Sequence, residues 1–273
     1  DLDFITTHQY AGDPISEVCD QKDADHMKDT AEIQAEYKVD FTQLSAGLKP
    51  EDGLLPMFRR TMPDNTETDD LNRDLLRDAA EQVQKQADGL PVYYTEWNGC
   101  ATFGARGNDT RKVAAYDVRA ALSAEDFIDG SSIWCFSDIF EELHPFPEEF
   151  HGGYGLVTQH GIAKPLFHAL RLLGQAGDKR LELPGALDGE VSVAAFRDAA
   201  DTQLTVLATK QNLHHFAGQS TPATPVEIEV ELDAKPQSVQ LCRIDEEHGN
   251  PLKCWQAMGE PEEIGRASCR ERV

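Results

Sequence analysis

The spacing of apolar positions changes character along this chain, and each change marks an element. The opening run Leu2-Asp3-Phe4-Ile5-Thr6-Thr7-His8 is β-branched and aromatic and predicts a strand. Residues 11–69 are polar and charged, with one helical stretch at 23–38 and a segment punctuated by Pro50, Gly53, Pro56 and Pro63, so they are expected to form a long loop insertion. From Asp70 onward Leu71, Leu75, Leu76, Ala79, Ala80 and Val83 recur at helical spacing, which predicts a helix with one face on a core, stopped by Gly89. A strand over 91–96 follows, with Trp97-Asn98-Gly99 turning outward. Asn108 or Asp109 is the expected cap of a second helix, carrying Val113, Ala114, Tyr116, Val118 and Leu122. A strand over 131–137 holds Cys135 in a packed position. A long loop then runs to His160, and a helix over 165–174 turns Phe167, Leu170 and Leu173 inward.

Strand alternating with helix is the repeat of a parallel α/β architecture, and a closed (β/α)8 barrel is its common solution when polar residues gather at strand ends. About three of the eight barrel units would be present. After Leu181 the period shortens to two in the runs 191–196, 204–208, 226–232 and 238–244, which predicts antiparallel strands of a small β-sandwich. The expected organisation is a partial barrel over 1–178, with the insertion at 11–69, and a sandwich over 179–262. Residues 263–273 read as the in-frame translation of a sequencing-library adapter and are set aside as a non-native tail.

Charge narrows the partners. The chain carries 49 acidic and 25 basic residues, a formal charge of −24, which repels phosphate backbones and anionic lipid headgroups. Nucleic acid and membrane are not expected partners, and a neutral substrate is compatible with such a surface. No apolar run is long enough to span a bilayer, and the first residues show no secretory leader. Six cysteines, at 19, 100, 135, 242, 254 and 269, form no CxxC pair and no zinc spacing, so free thiols are expected, with a disulfide among them and the compartment left open. No metal and no cofactor are expected.

The chemistry then rests on side chains alone. GxSxG, HExxH, GxxxxGK[ST] and GxGxxG are all absent. Glu96, however, ends an otherwise apolar strand before a turn, the position from which a carboxylate serves as nucleophile in retaining glycosidases.

Around it, Tyr94-Thr95-Glu96-Trp97-Asn98, the run from Ile133 to Glu142, Phe150-His151-Gly152-Gly153-Tyr154-Gly155-Leu156 and Gly161-Ile162-Ala163-Lys164-Pro165 resemble, in order and spacing, the closing segments of glycoside hydrolase family 39. The opening residues from Asp3 to Tyr10 resemble the sixth-strand motif of that family. The run from Arg243 to Asn250, with Trp255 and Met258-Gly259-Glu260-Pro261, resembles its C-terminal sandwich.

The resemblance implies the last three strands of a (β/α)8 barrel followed by a β-sandwich, and retaining hydrolysis of β-linked xylose from non-reducing ends, as in xylan degradation. It implies Glu96 as the nucleophile. The partner acid/base would be the Glu of an Asn-Glu-Pro motif on the fourth strand, which this sequence lacks, so the chain alone is expected to be inactive. His8 and Tyr10 would line the sugar subsite, with Tyr10 hydrogen-bonding the nucleophile. Trp134 would form an apolar wall, and Glu141, rather than Glu142, would accept hydrogen bonds from sugar hydroxyls. Asp138, His151 and Lys164 are expected to hold loops at the barrel mouth. The implied partner is a β-xyloside or xylo-oligosaccharide, with a homo-oligomer of the complete protein left open. Two alternatives remain: a catalytically silent carbohydrate-binding relative, and another family 39 glycosidase such as an α-L-iduronidase.

Overall fold

The computed structural model describes residues 2–10, 74–99, 106–139, 148–211, 225–232 and 234–261. The insertion at 11–69, Glu141 with Glu142, and the tail at 263–273 lie outside the described residues.

Strands and helices alternate as the periodicity predicts. β1 (Ile5–Tyr10), α1 (Leu75–Gln86), β2 (Val92–Asn98), α2 (Arg111–Ala124), β3 (Gly130–Ile133) and α3 (Pro165–Leu173) succeed one another, and the strands pair in parallel in the order β1-β2-β3. The α1 stripe buries Leu75, Leu76, Ala79 and Ala80. Its last turn closes where Ala87 donates to the carbonyls of Val83 and Gln84, and the chain escapes through Asp88 and Gly89 at φ of 51° and 84°. Glycine reaches that left-handed conformation without steric cost.

Helix α2 is the hub. On one side Tyr116, Ala120 and Ala124 join Leu76 and Ala80 of α1 beneath Val92, Tyr94 and Trp97 of β2. On the other, Val113, Ala114, Val118 and Leu122 meet Leu166 and Ala169 of α3 and Ala194 and Phe196 of a second sheet. That sheet is antiparallel and three-stranded, formed by β4 (Lys179–Leu181), β5 (Val191–Arg197) and β6 (Leu204–Lys210). Buried Arg119 of α2 adds a polar tie, donating to Asp74 Oδ1 at 2.5 Å ahead of α1 and to the Leu187 carbonyl at 3.1 Å beside β5. A short helix α4 (Pro251–Ala257) closes the described chain, packing Trp255 on Phe150 with ring centroids 5.4 Å apart.

Several boundaries differ from the sequence expectation. β2 runs on through Trp97 and Asn98 instead of turning outward, and Trp97 is buried in the core. The cap of α2 is Thr110, whose hydroxyl accepts from Lys112 N at 3.2 Å, whereas Asn108 and Asp109 sit in a preceding 3-10 turn (Arg106–Asp109). Thr110 has the extended backbone that a cap requires, and the Asp109 carboxylate is engaged elsewhere. β3 stops at Ile133, because beyond it the main chain changes partner: Cys135 N donates to Tyr154 O, Leu156 N to Cys135 O and Asp138 N to Val157 O. Cys135 is therefore a half-buried free thiol in a loop rather than a strand residue. In α3 the core position belongs to Leu166, while Phe167 is half-buried with its ring 5.8 Å from that of His168.

The runs 226–232 and 238–244 carry the alternation of strands but form none among the described residues. Val226, Ile228, Val230, Leu232, Val239 and Leu241 are exposed. A period of two says that a segment can line a sheet, but a strand also needs a neighbour for its N–H and C=O groups, and β4 to β6 supply none to these two runs. Among the described residues the antiparallel part of the chain is the single sheet β4-β5-β6.

Asp117, mid-helix in α2, is fully buried against Gly99, so close that a Cβ on Gly99 would lie 2.6 Å from its Oδ1. Burial pushes its carboxyl well above the ordinary range. The folded chain therefore binds this proton more tightly than the unfolded chain, and the group's contribution to stability is complete at acid pH and lost as pH rises toward the raised folded value. Asp117→Asn removes that loss: its thermal midpoint should exceed that of the unmutated chain at pH ~7.5, with the gap closing toward pH ~4. A gap constant with pH in calorimetric scans would contradict this assignment.

Candidate active site

β1 and β2 run in register from Ile5 opposite Val92 to Thr7 opposite Tyr94, and then the register slips so that His8 lies opposite Glu96. Against β3 the same slip falls between Tyr94 opposite Ser131 and Trp97 opposite Ile133. β2 thus carries one extra residue at Thr95 and Glu96 relative to both neighbours, a β-bulge. Before it, Val92 and Tyr94 face the helices and Tyr93 and Thr95 the opposite, open face. Strict alternation would send Glu96 into the helix layer; the inserted residue turns it onto the open face and sends Trp97 inward instead.

On that face two side chains of β1 meet it. The Tyr10 hydroxyl donates to Glu96 Oε1 at 2.6 Å, and His8 Nδ1 faces Oε2 at 3.4 Å. Burial first, then the hydrogen bond and charge of Glu96, push the Tyr10 phenol far above its usual value, so it keeps its proton and remains a donor. The Glu96 side chain is 24% exposed and that of His8 57%, so the carboxylate is reachable from the open side.

Trp134 follows β3 directly, half-buried. Its N–H donates to Trp97 O at 2.9 Å and its carbonyl accepts from Asn98 Nδ2 at 2.7 Å, which sets it across Asn98 from Tyr10, the β1 partner of Asn98. The structure thus brings Glu96, His8 and Tyr10 together and fixes the Trp134 backbone at the end of the same sheet; Glu141 lies outside the described residues.

Two further residues border the site that residue type alone did not single out. The Tyr154 ring stands 6.3 Å from that of Tyr10, and the Tyr154 carbonyl accepts from Cys135 N at 3.2 Å. Burial, together with the Asp138 and Glu96 charges, pushes the Cys135 thiol up to about 11, so it stays protonated beside the carboxylate. Both lie inside the motif segments quoted above, which was the available signal.

Lys164 is fully buried between Asp109 Oδ1 and Asp138 Oδ2, each at 2.6 Å. Burial works to lower the Lys164 ammonium, but the two carboxylates outweigh it and hold the group above its usual value. Burial pushes Asp138 up to about 6 against the pull of Lys164. Lys164 donates to the Gly153 carbonyl and Asp138 accepts from Gly155 N, as expected of residues that hold a loop, and His151 is buried in the same 148–164 segment. Among the described residues no group of three or more His, Cys, Asp or Glu is arranged to hold a metal, and no helix is long and apolar enough to cross a membrane.

A partly exposed carboxylate with one oxygen capped by a phenol and the other beside an imidazole can attack an electrophilic carbon or accept a proton. Comparison with known proteins narrows the choice. The chain is 31% identical over 206 residues to a β-xylosidase of Caldicellulosiruptor saccharolyticus, covering 71% of this chain and 40% of that protein. It is 32% identical over 172 residues to a β-xylosidase of Geobacillus stearothermophilus, covering 63% of this chain and 32% of that one. Its fold matches the crystal structure of a monomeric β-xylosidase from Caulobacter crescentus CB15 with a TM-score of 0.52 and 22% identity, over 74% of this chain and 45% of the solved one. The chain therefore spans less than half the length of these relatives. The sequence model for glycosyl hydrolases family 39 matches residues 58–271, and the chain belongs to that family.

Proposed function

We propose that this chain is the C-terminal part of a retaining β-xylosidase in which Glu96 is the nucleophile. In this reading residues 1–178 belong to a (β/α)8 barrel closed by strands outside the chain. Residues 179–262 form the accompanying β-sandwich, of which β4 to β6 are one sheet. The acid/base is a Glu supplied from outside the chain, within about 5–5.5 Å of Glu96, the separation that double displacement requires. The observation that carries the reading is the capped carboxylate on the bulge: Tyr10 holds Oε1 at 2.6 Å and leaves Oε2, beside His8, for attack.

The chemistry follows from that geometry. Oε2 of ionised Glu96 attacks the anomeric carbon while the external acid protonates the departing glycosidic oxygen, giving a covalent xylosyl ester. Water, deprotonated by the same external group, then cleaves the ester with a second inversion, so configuration is retained. Tyr10 donates to Glu96 Oε1 and so holds the carboxylate in place on the open face. His8, Trp134 and Glu141 contact the sugar, the indole through its apolar face and Glu141 as an acceptor from hydroxyls. The xylosidase names of the relatives support xylose over the uronic acid of an iduronidase. A silent sugar-binding relative is the second reading; a Glu following Asn on the fourth strand of the complete protein decides for the enzyme, and any other residue there for the binder.

In the complete enzyme, Glu96→Ala should cut hydrolysis of an aryl β-xyloside by at least about a thousandfold, and a fluorinated mechanism-based xyloside should label Glu96. Retained turnover, or labelling at another carboxylate, would remove Glu96 from this role. Tyr10→Phe deletes a hydrogen bond to a charged acceptor and should lower kcat/KM roughly ten- to hundredfold. A change of less than about twofold would show that the phenol does not position the carboxylate.

A further inference from the structure

Tyr154 sits in the run Gly152-Gly153-Tyr154-Gly155, a sequence with little conformational preference of its own. Yet nearly every peptide group around it is held. Gly152 N donates to Asp109 Oδ2 at 2.7 Å and Gly152 O accepts from Asn108 Nδ2 at 2.9 Å. Gly153 O accepts from Lys164 Nζ at 3.0 Å, and Gly155 N donates to Asp138 Oδ1 at 2.7 Å. With the bond from Cys135 N to Tyr154 O, the backbone is pinned on both sides of the tyrosine. The glycines are needed for the approach: a Cβ at Gly153 would lie 2.4 Å from Asp138 Oδ1, and one at Gly155 2.3 Å from Asp138 N. What this framework presents to the site is one ring, placed against the ring of Tyr10.

We propose that Tyr154 is a positioning residue for the reaction, and that the buried cluster of Asp109, Lys164 and Asp138 sets its place. The Tyr154 ring backs the Tyr10 ring and keeps its hydroxyl on Glu96 Oε1. The proposal rests on Glu96 being the nucleophile, and it concerns a residue without assigned contact to the sugar. Its effect passes through Tyr10, so the two tyrosines act as one unit.

The test is a double-mutant cycle in the complete enzyme with an aryl β-xyloside. Tyr154→Ala should lower kcat roughly tenfold with KM changed less than about threefold, and Tyr154→Phe, which keeps the ring, should recover most of the loss. Tyr10→Phe combined with Tyr154→Ala should be no slower than Tyr10→Phe alone, because the second change removes support from a hydroxyl already gone. Lys164→Met would strand two buried carboxylates, so the cluster is probed with Asp138→Asn, which keeps an acceptor for Gly155 N–H. It should show the same kcat-weighted loss, smaller in size, and it decides the matter should Tyr154→Ala fail to fold. Additive losses in the cycle, a change confined to KM, or unaltered kcat in both Tyr154→Ala and Asp138→Asn would overturn the proposal. An unmutated enzyme that is labelled at a residue other than Glu96, or that does not hydrolyse the xyloside, would instead overturn the nucleophile assignment.

Discussion

The single inserted residue in β2 governs the site. A β-strand offers its side chains alternately to two faces, and a shift by one residue exchanges the faces for everything that follows. Val92 and Tyr94 are committed to the helix layer by the core they form with α1 and α2. Without a bulge Glu96 would share that commitment, and a carboxylate in an apolar layer would be desolvated and out of reach. The bulge satisfies both demands: it leaves Val92 and Tyr94 in the core, sends Trp97 in as the next anchor, and releases Glu96 to Tyr10 and His8. Both neighbouring strands register the slip at the same place, so the irregularity is a property of β2 and not of one pairing.

The rest of the fold packs around that strand end. α2 presses Tyr116 and Ala120 beneath β2 and turns its opposite face to α3 and the antiparallel sheet, so the two sheets share α2 as a common wall. The Asn98 side chain links the end of β2 to Trp134, and the Trp134 N–H links back to Trp97. The loop after β3 then pairs with 154–157 instead of continuing the sheet, which brings Tyr154 to the site. In the proposed role of Glu96 such support matters, because a nucleophile must be held to a fraction of an ångström.

Much of this was readable from residues in order, and the failures share one cause. The helical stripe from Leu75 to Val83, the stop near Gly89 and the strand-helix alternation depend on local periodicity, and all are present. The bulge was not readable, because Tyr93, Tyr94 and Thr95 suit either face of a sheet and alternation cannot reveal an added residue among them. Three consecutive residues, Asn108, Asp109 and Thr110, are each good helix caps. Thr110 takes the role because Asp109 is drawn to Gly152 and Lys164, more than forty residues away in sequence. The runs 226–232 and 238–244 alternate correctly yet find no strand neighbour among the described residues, since pairing depends on what is adjacent in space. His8, Tyr10 and Glu96 were legible as candidates through the resemblance of their two separate segments to a family; Tyr154 lay in a third such segment, 150–156, and gains its meaning only from contact with Tyr10.

The buried cluster shows why a glycine-rich loop can be as well placed as a strand. Lys164 brings one positive charge to two carboxylates, and removing all three from water is costly unless the excess negative charge is met. Replacing such a cluster by apolar side chains often costs nothing in stability, so its presence is better explained by what it orients. The compensation comes from main-chain donors, Gly152 N to Asp109 and Gly155 N to Asp138, while Lys164 spends a further hydrogen on Gly153 O. At Gly153 and Gly155 a Cβ would collide with Asp138. The electrostatic demand of the cluster and the geometry of the loop are therefore one constraint: the carboxylates require those N–H groups, and meeting the requirement fixes the residue between them, Tyr154, against Tyr10.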